Sequence, residues 1–299
     1  MGGLLVFSAG IDRMQLRFSK ISPIMWLSMR IALWGKLILI SYARCHFSGT
    51  RCSTAKGVLA MSFDPYEFDR SMMQEGQLET IGQYTAKTFL WMVLGLMITF
   101  GIAVAGWMTN FTYYTLIYFP AVQLVVLVAT LILSYTMAAR IERMSVGSAK
   151  AIFVAFSILF GFTISIYFYL YRLESIVLVF LATAVYFAVL AAYGYLTQRD
   201  LSRIGGILFS GLIFLIVFAV ISVFIPAFTA LDRMVCLLGI AVFLGYTAYN
   251  TQKIKAYYQY YAGYPDMLEK ASIFSALQLY LDFLNLFLYL LRFLGNRKN

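Results

Sequence analysis

Seven stretches of about twenty residues, each nearly free of charge, follow one another along the last two thirds of the chain. They run over Thr88–Met108, Tyr113–Ala138, Ala149–Tyr171, Ser175–Thr197, Gly205–Ile225, Met234–Ile254 and Ser272–Leu294. At a rise of about 1.5 Å per residue, each is long enough to cross a hydrocarbon core of about 30 Å. Only helices and closed barrels satisfy every backbone polar group in lipid. Barrel strands alternate apolar and polar residues, whereas these runs are unbroken. The pattern predicts an all-α membrane protein with seven transmembrane helices. Composition agrees, with 62% of residues hydrophobic and 12% charged. A soluble domain carries about 25% charged residues, so a soluble enzyme and a disordered chain are both excluded.

The connections Thr109–Thr112, Arg172–Glu174 and Pro226–Arg233 are too short for a second domain. Pro120 and Pro226 fall near span ends, where a missing amide donor costs least. The one long connection is Lys255–Ala271, whose tyrosines suit a membrane–water interface. Small residues such as Gly95, Gly101, Gly106, Gly161, Gly205, Gly206 and Gly211 are expected to let helices pack closely. Cys45, Cys52 and Cys236 show no metal-ligand spacing, and His46 has no second histidine to share a site. No span offers a nucleophile–base pair, so the chain reads as something other than an enzyme, without a cofactor.

Charge is unevenly placed. Residues 1–60 hold eight Lys/Arg and a single acid, Asp12, out of a net +10 for the chain. Such a basic, acid-poor leader resembles a targeting or surface-binding segment. Its most apolar part, Ile21–Tyr42, is interrupted by Arg30 and Lys36, so it is not counted as a span. Met61 opens MSFDPYEFDR, which reads as the start of an acidic cytoplasmic tail over 61–87, and the seven-helix domain follows over 88–299. The leader 1–60 is therefore expected to lie outside the fold, as translation upstream of a start at Met61. The basic excess then says little about nucleic acid, and no interleaving of aromatic and basic residues supports such a partner. From Met61 to the last span, ten Lys/Arg fall in the tail and the even connections, against Arg172 and Arg233 in the odd ones. The positive-inside rule places the N-terminus in the cytoplasm and, after seven crossings, the C-terminus outside. Arg292, Arg297 and Lys298 run mildly against that assignment.

Asp282 is the one acid that falls inside a span. A carboxylate in hydrocarbon costs several kcal/mol and should face the bundle or a wet cavity. Ser275, Gln278, Asp282, Asn285 and Tyr289 recur at helical spacing and form one polar stripe on the last span. Interhelical hydrogen bonding explains Gln278 and Asn285, but a carboxylate serves that purpose poorly. Span six carries Gly239, Phe243, Tyr246 and Asn250 on one face, and span two ends with Arg140 and Arg143. A nearby arginine would favour the ionised carboxyl and desolvation would oppose it, which makes Asp282 a candidate pH gate. Counting from Ser272 sets Asp282 roughly 15 Å deep, with Asn250 shallower. On that count either the last span begins later or the two do not touch.

LQLYLDFLNLFLYLLRFLG (Leu277–Gly295), with GFTIS (Gly161–Ser165) and YNTQKIK (Tyr249–Lys255), resembles the transmembrane Bax inhibitor motif family in a bacterial form. The resemblance covers about residues 61–299 and all seven spans in order. It implies six outer helices around the last one, and a pH-sensitive calcium leak across the bacterial plasma membrane. It further implies an aspartate pair on spans six and seven, with a basic latch from span two. Asp282 matches the second aspartate, Asn250 stands in place of the first, and Arg140 is the choice for the latch, with Arg143 still open. An Asn–Asp pair lacks carboxylate repulsion, so the pH response is expected to be shifted or blunted. Asp282 is then at most a weak calcium ligand, with calcium as the transported ion. The alternative function is an interaction protein that restrains a membrane-anchored protease through the acidic tail (Asp64, Glu67, Asp69, Glu75, Glu79). A retinal protein is excluded, because the last span holds no lysine.

Overall fold

The computed structural model describes residues 79–119, 121–224 and 231–298. The leader 1–60, the tail up to residue 78, Pro120 and Pro226 lie outside the described residues. The helices are α1 (Ile81–Met108), α2 (Phe111–Tyr118), α3 (Ala121–Arg140), α4 (Val146–Ile164), α5 (Tyr167–Leu170), α6 (Leu173–Leu196), α7 (Gly205–Phe224), α8 (Asp232–Tyr261) and α9 (Pro265–Leu294). Seven segments are long and apolar enough to cross a membrane, with α4 and α5 together forming the third.

Three spans, the second, sixth and seventh, differ from expectation in ways the sequence chemistry explains. The second is α3 alone. Its expected first turns form the separate α2, because the residue before a proline is pushed out of helical geometry. Phe119 accordingly sits at φ −134°, ψ 63°. The expected loop Lys255–Ala271 is also mostly helix. α8 runs on to Tyr261, and α9 starts at Pro265, a first-turn position where a missing amide costs nothing. Local caps fix other starts. Thr80 and Gln83 form a reciprocal capping box on α1, and the Ser145 hydroxyl accepts from the Ser148 amide on α4. Between α6 and α7, the Ser202 hydroxyl and amide both donate to Asp200 and hold its carboxyl below the ordinary carboxylate range.

Every residue from Lys270 to Leu291 is buried. α9 is thus buried on every face over this stretch, its polar stripe included. Its main neighbours are α8, α1, α6 and α4, while α3 packs on α4 and α7 on α8. Aromatic edges lock it in place. The Phe180 ring meets Phe283 at 5.4 Å and Phe100 at 4.6 Å, and Tyr280 lies among Phe153, Phe156 and Phe160.

Polar ties hold the two ends of the bundle separately. At the end carrying Ile81 and Tyr261, the Tyr258 hydroxyl donates to the Glu79 carbonyl at 2.6 Å and Gln252 donates to the Arg199 carbonyl. Lys270, although buried, donates to the carbonyls of Glu142 and Met144, and so ties the turn after α3 to α9. At the opposite end, Arg292 pairs with Asp232, the Lys298 amide and ammonium donate to Leu170 and Phe168, and the Arg172 amide donates to Asn296. Arg292 is thus neutralised by Asp232 inside the bundle.

The small-residue contacts divide. A Cβ on Gly161 would lie 2.7 Å from the Thr99 carbonyl oxygen, and one on Gly194 would drive into the Ala248 peptide of α8. Gly101 and Gly206, expected to pack, have nothing within 4 Å of that position. Gly194→Ala should therefore destabilise the purified protein by about 1–3 kcal/mol. Gly101→Ala should be neutral or stabilising by up to about 1 kcal/mol. Thermal unfolding in detergent checks the contrast.

Candidate functional site

Asp282 is fully buried in the middle of α9, and Asn250 of α8 donates from Nδ2 to its Oδ2 at 2.6 Å. The two helices run antiparallel in a constant register. Tyr257 meets Phe274, Asn250 meets Asp282 and Phe243 meets Tyr289, at ring separations of 6.4 Å and 5.8 Å for the aromatic pairs. Partners therefore recur every seven or eight residues along both helices, the repeat of an antiparallel helix seam. The depth difference reckoned from the sequence is thereby corrected. The last span begins seven residues earlier than Ser272, α8 ends seven residues later than Ile254, and side-chain register sets the heights.

The rest of the polar stripe is buried too, but its members do different things. The Asn285 amide donates back to the Leu281 carbonyl at 2.7 Å, within its own helix, so its nitrogen is not the interhelical bond expected of it. Tyr289 lies nearly parallel to Phe243 and against Gly239, where a Cβ would come within 2.6 Å of the ring. Glycine at 239 therefore makes the room that the tyrosine occupies. Ser275 and Gln278 face Tyr84 of α1 and Tyr257 of α8. The stripe as a whole looks onto α8 and α1, with Asp282 at its centre.

Arg140 and Arg143 are exposed at and just beyond the end of α3. No ion pair joins either to Asp282 among the described residues, and α3 packs on α4 instead of α9. A latch from span two is therefore absent from this conformation. The physical reason is that a guanidinium at a helix end remains hydrated unless its helix is pressed against the acid. Among the described residues no three His, Cys, Asp or Glu side chains cluster to hold a metal ion. Calcium takes six to eight oxygen ligands, and Asp282 is the one carboxylate that the last helix brings to this level.

The sequence reading missed three ties on the same core. Thr99 shares a 2.6 Å hydrogen bond with the Tyr280 hydroxyl and donates to the Ser157 carbonyl, so that α1, α4 and α9 meet at one hydroxyl. Thr88 and Ser272 join α1 to the start of α9 at 2.9 Å. The available signal was the placement of Thr85, Thr88 and Thr99 on the buried face of an otherwise greasy helix. Lys270 and Lys255, counted as loop charges, are helical residues that donate to backbone carbonyls.

The chain matches the family described as inhibitor of apoptosis-promoting Bax1 over residues 81–299. It is similar to the inner membrane protein YbhL of Escherichia coli, with 37% identity over 219 residues, covering 72% of this chain and 92% of that one. A protein of Rickettsia prowazekii is 35% identical over 74% of this chain and 92% of its own. One of Borreliella burgdorferi is 34% identical over 73% and 93%.

Replacing Asn250 tests the pair directly. Asn250→Ala should lower stability by about 1–3 kcal/mol, because a buried acceptor loses its donor. Asn250→Asp can restore a hydrogen bond only while the pair retains a proton. Its stability should therefore approach that of the parent in acid and fall as pH rises and both carboxyls ionise. Thermal unfolding at about pH 5 and pH 8 distinguishes the two variants.

Proposed function

Because the chain belongs to the Bax inhibitor family of integral membrane proteins, we propose that it is a pH-sensitive calcium leak of the bacterial plasma membrane, gated at Asn250 and Asp282. The observation that carries this reading is the 2.6 Å Asn250–Asp282 hydrogen bond inside a fully buried helix. Lone carboxyls at membrane depth are costly and mark ion or proton pathways more often than glue. A single charge at this depth attracts a cation, and a proton on it removes that attraction. The similar Escherichia coli protein is an inner membrane protein, which supports the location. The loop charges support a cytoplasmic N-terminus and an external C-terminus.

The asparagine gives the gate a particular character. An amide can donate to a carboxylate through Nδ2, or turn and accept from a carboxylic acid through Oδ1. The pair can therefore persist in both protonation states, with the charge of the path changing more than its geometry. This predicts a shallower acid response than two paired acids would give.

Purified protein in liposomes holding a calcium indicator tests the proposal across about pH 5 to 8. The wild type should admit calcium with a graded pH dependence. Asp282→Ala should abolish that dependence, and Asn250→Asp should steepen it. No flux from folded wild-type protein, or an unchanged pH profile in Asp282→Ala, would overturn the reading.

A further inference from the structure

Between α1 and α6 lies a groove that the proposed gate does not use. Both helices pack on α9, and they meet each other where Phe100 touches Phe180. Towards the end carrying Gly82 and Tyr195 they leave between them an open cavity of about 810 Å³, floored by Phe283. Its walls are alanines, phenylalanines and methionines, and the Thr85 hydroxyl is turned back onto the Ile81 carbonyl at 2.7 Å. The groove therefore presents hydrocarbon. Its lining runs from Gly82 to Phe100 along α1. That is about 27 Å at the helical rise, longer than the roughly 15 Å hydrocarbon depth of one leaflet.

The mouth of the groove is different. Next to Tyr195, which lines the groove at the end of α6, Lys255 of α8 is half-buried, with its ammonium 4.2 Å from the centre of the Tyr195 ring and donating to the Tyr195 carbonyl. These are neutral partners. Glu79, the acid at this end of α1, pairs with Lys87 at 3.9 Å. Lys255 is thus a cation held in place beside the groove, with donors left for another anion.

We propose that this groove binds an anionic phospholipid, one acyl chain lying along α1 and α6 and the phosphate meeting Lys255. The charge at the mouth and the hydrocarbon wall fit the two halves of that one molecule. A lipid seated on Phe283 would press on the residue next to Asp282, giving membrane composition access to the core.

The full chain in detergent, offered 1-palmitoyl-2-oleoyl phosphatidylglycerol or the phosphatidylcholine with the same chains, reports retained lipid by native mass spectrometry. The wild type should retain phosphatidylglycerol about fivefold better, the size expected of one lysine at an anionic headgroup. Lys255→Gln should equalise the two lipids. Ala188→Trp, placed on an exposed wall residue, should lose both while circular dichroism shows an unchanged fold. Equal retention of the two lipids by the wild type would overturn the proposal, as would an unaltered preference in Lys255→Gln. Retention of neither lipid would also overturn it and leave the groove to the N-terminal tail or a second copy of the chain. Calcium flux plays no part in this readout, so its outcome is separate from that of the proposed gate.

Discussion

The enclosure of α9 is the constraint on which the molecule depends. A helix buried from Lys270 to Leu291 can present no unmatched polar side chain without cost, yet it carries serines, a glutamine, an asparagine, tyrosines and a carboxylate. Each must meet something on a neighbouring helix or on its own backbone. The neighbours are consequently not interchangeable greasy cylinders. α8 supplies an amide opposite the acid and a glycine opposite Tyr289, while α1 supplies threonines opposite Tyr280 and Ser272. A one-residue slip of α8 against α9 would turn Asn250 through about 100° and break several of these matches together. Register is therefore specified by polar pairs, in a setting where apolar packing alone would tolerate sliding.

The two ends are secured by different means, and the difference bears on movement. One end relies on backbone carbonyls that accept from Lys270, Tyr258 and Gln252. The other relies on the Arg292–Asp232 ion pair and on the C-terminal residues stitched to the α5–α6 corner. Asn250 and Asp282 lie between these clamps. Under the proposed function, opening a path at their level would ask for a local change in α8 or its neighbours more readily than for withdrawal of α9, which is tied at both ends.

Much of the architecture was legible because it follows from the solvent. Lipid requires helices of a minimum length, so seven apolar runs could be read as seven spans, although several of their ends were misplaced by seven or eight residues. Asp282 was legible for the same reason, as a charge where charge is expensive. The helical extensions through Lys255–Tyr261 and Pro265–Ala271 were not, since polar interfacial residues look like a loop until tertiary packing holds them helical. The contact between Asn250 and Asp282 could not be reckoned from residue counts, because register depends on side chains that meet across two helices. Glycine contacts were only partly legible. Gly194 and Gly101 look alike in sequence and differ in whether another backbone passes within reach. The end position of Arg140 likewise reflects which helix α3 packs on, a property of the fold and not of the local sequence.

Asparagine opposite a buried acid changes what protonation can do. In a pair of acids, gaining or losing a proton switches between attraction and repulsion, and the helices that carry them feel the change as a force. With an amide as partner, rotation by half a turn exchanges a donor for an acceptor of nearly the same size. The mechanical consequence of titration is then small and the electrostatic one remains. Under the proposed function this chain would sense pH chiefly through the charge that a passing cation meets. The clamps at both ends and the aromatic contacts around Phe283 and Tyr280 would hold the helices nearly still. Conformational control would then come from elsewhere in the bundle. The face where α1 and α6 stand apart over Phe283 is the place where the packing leaves room for it.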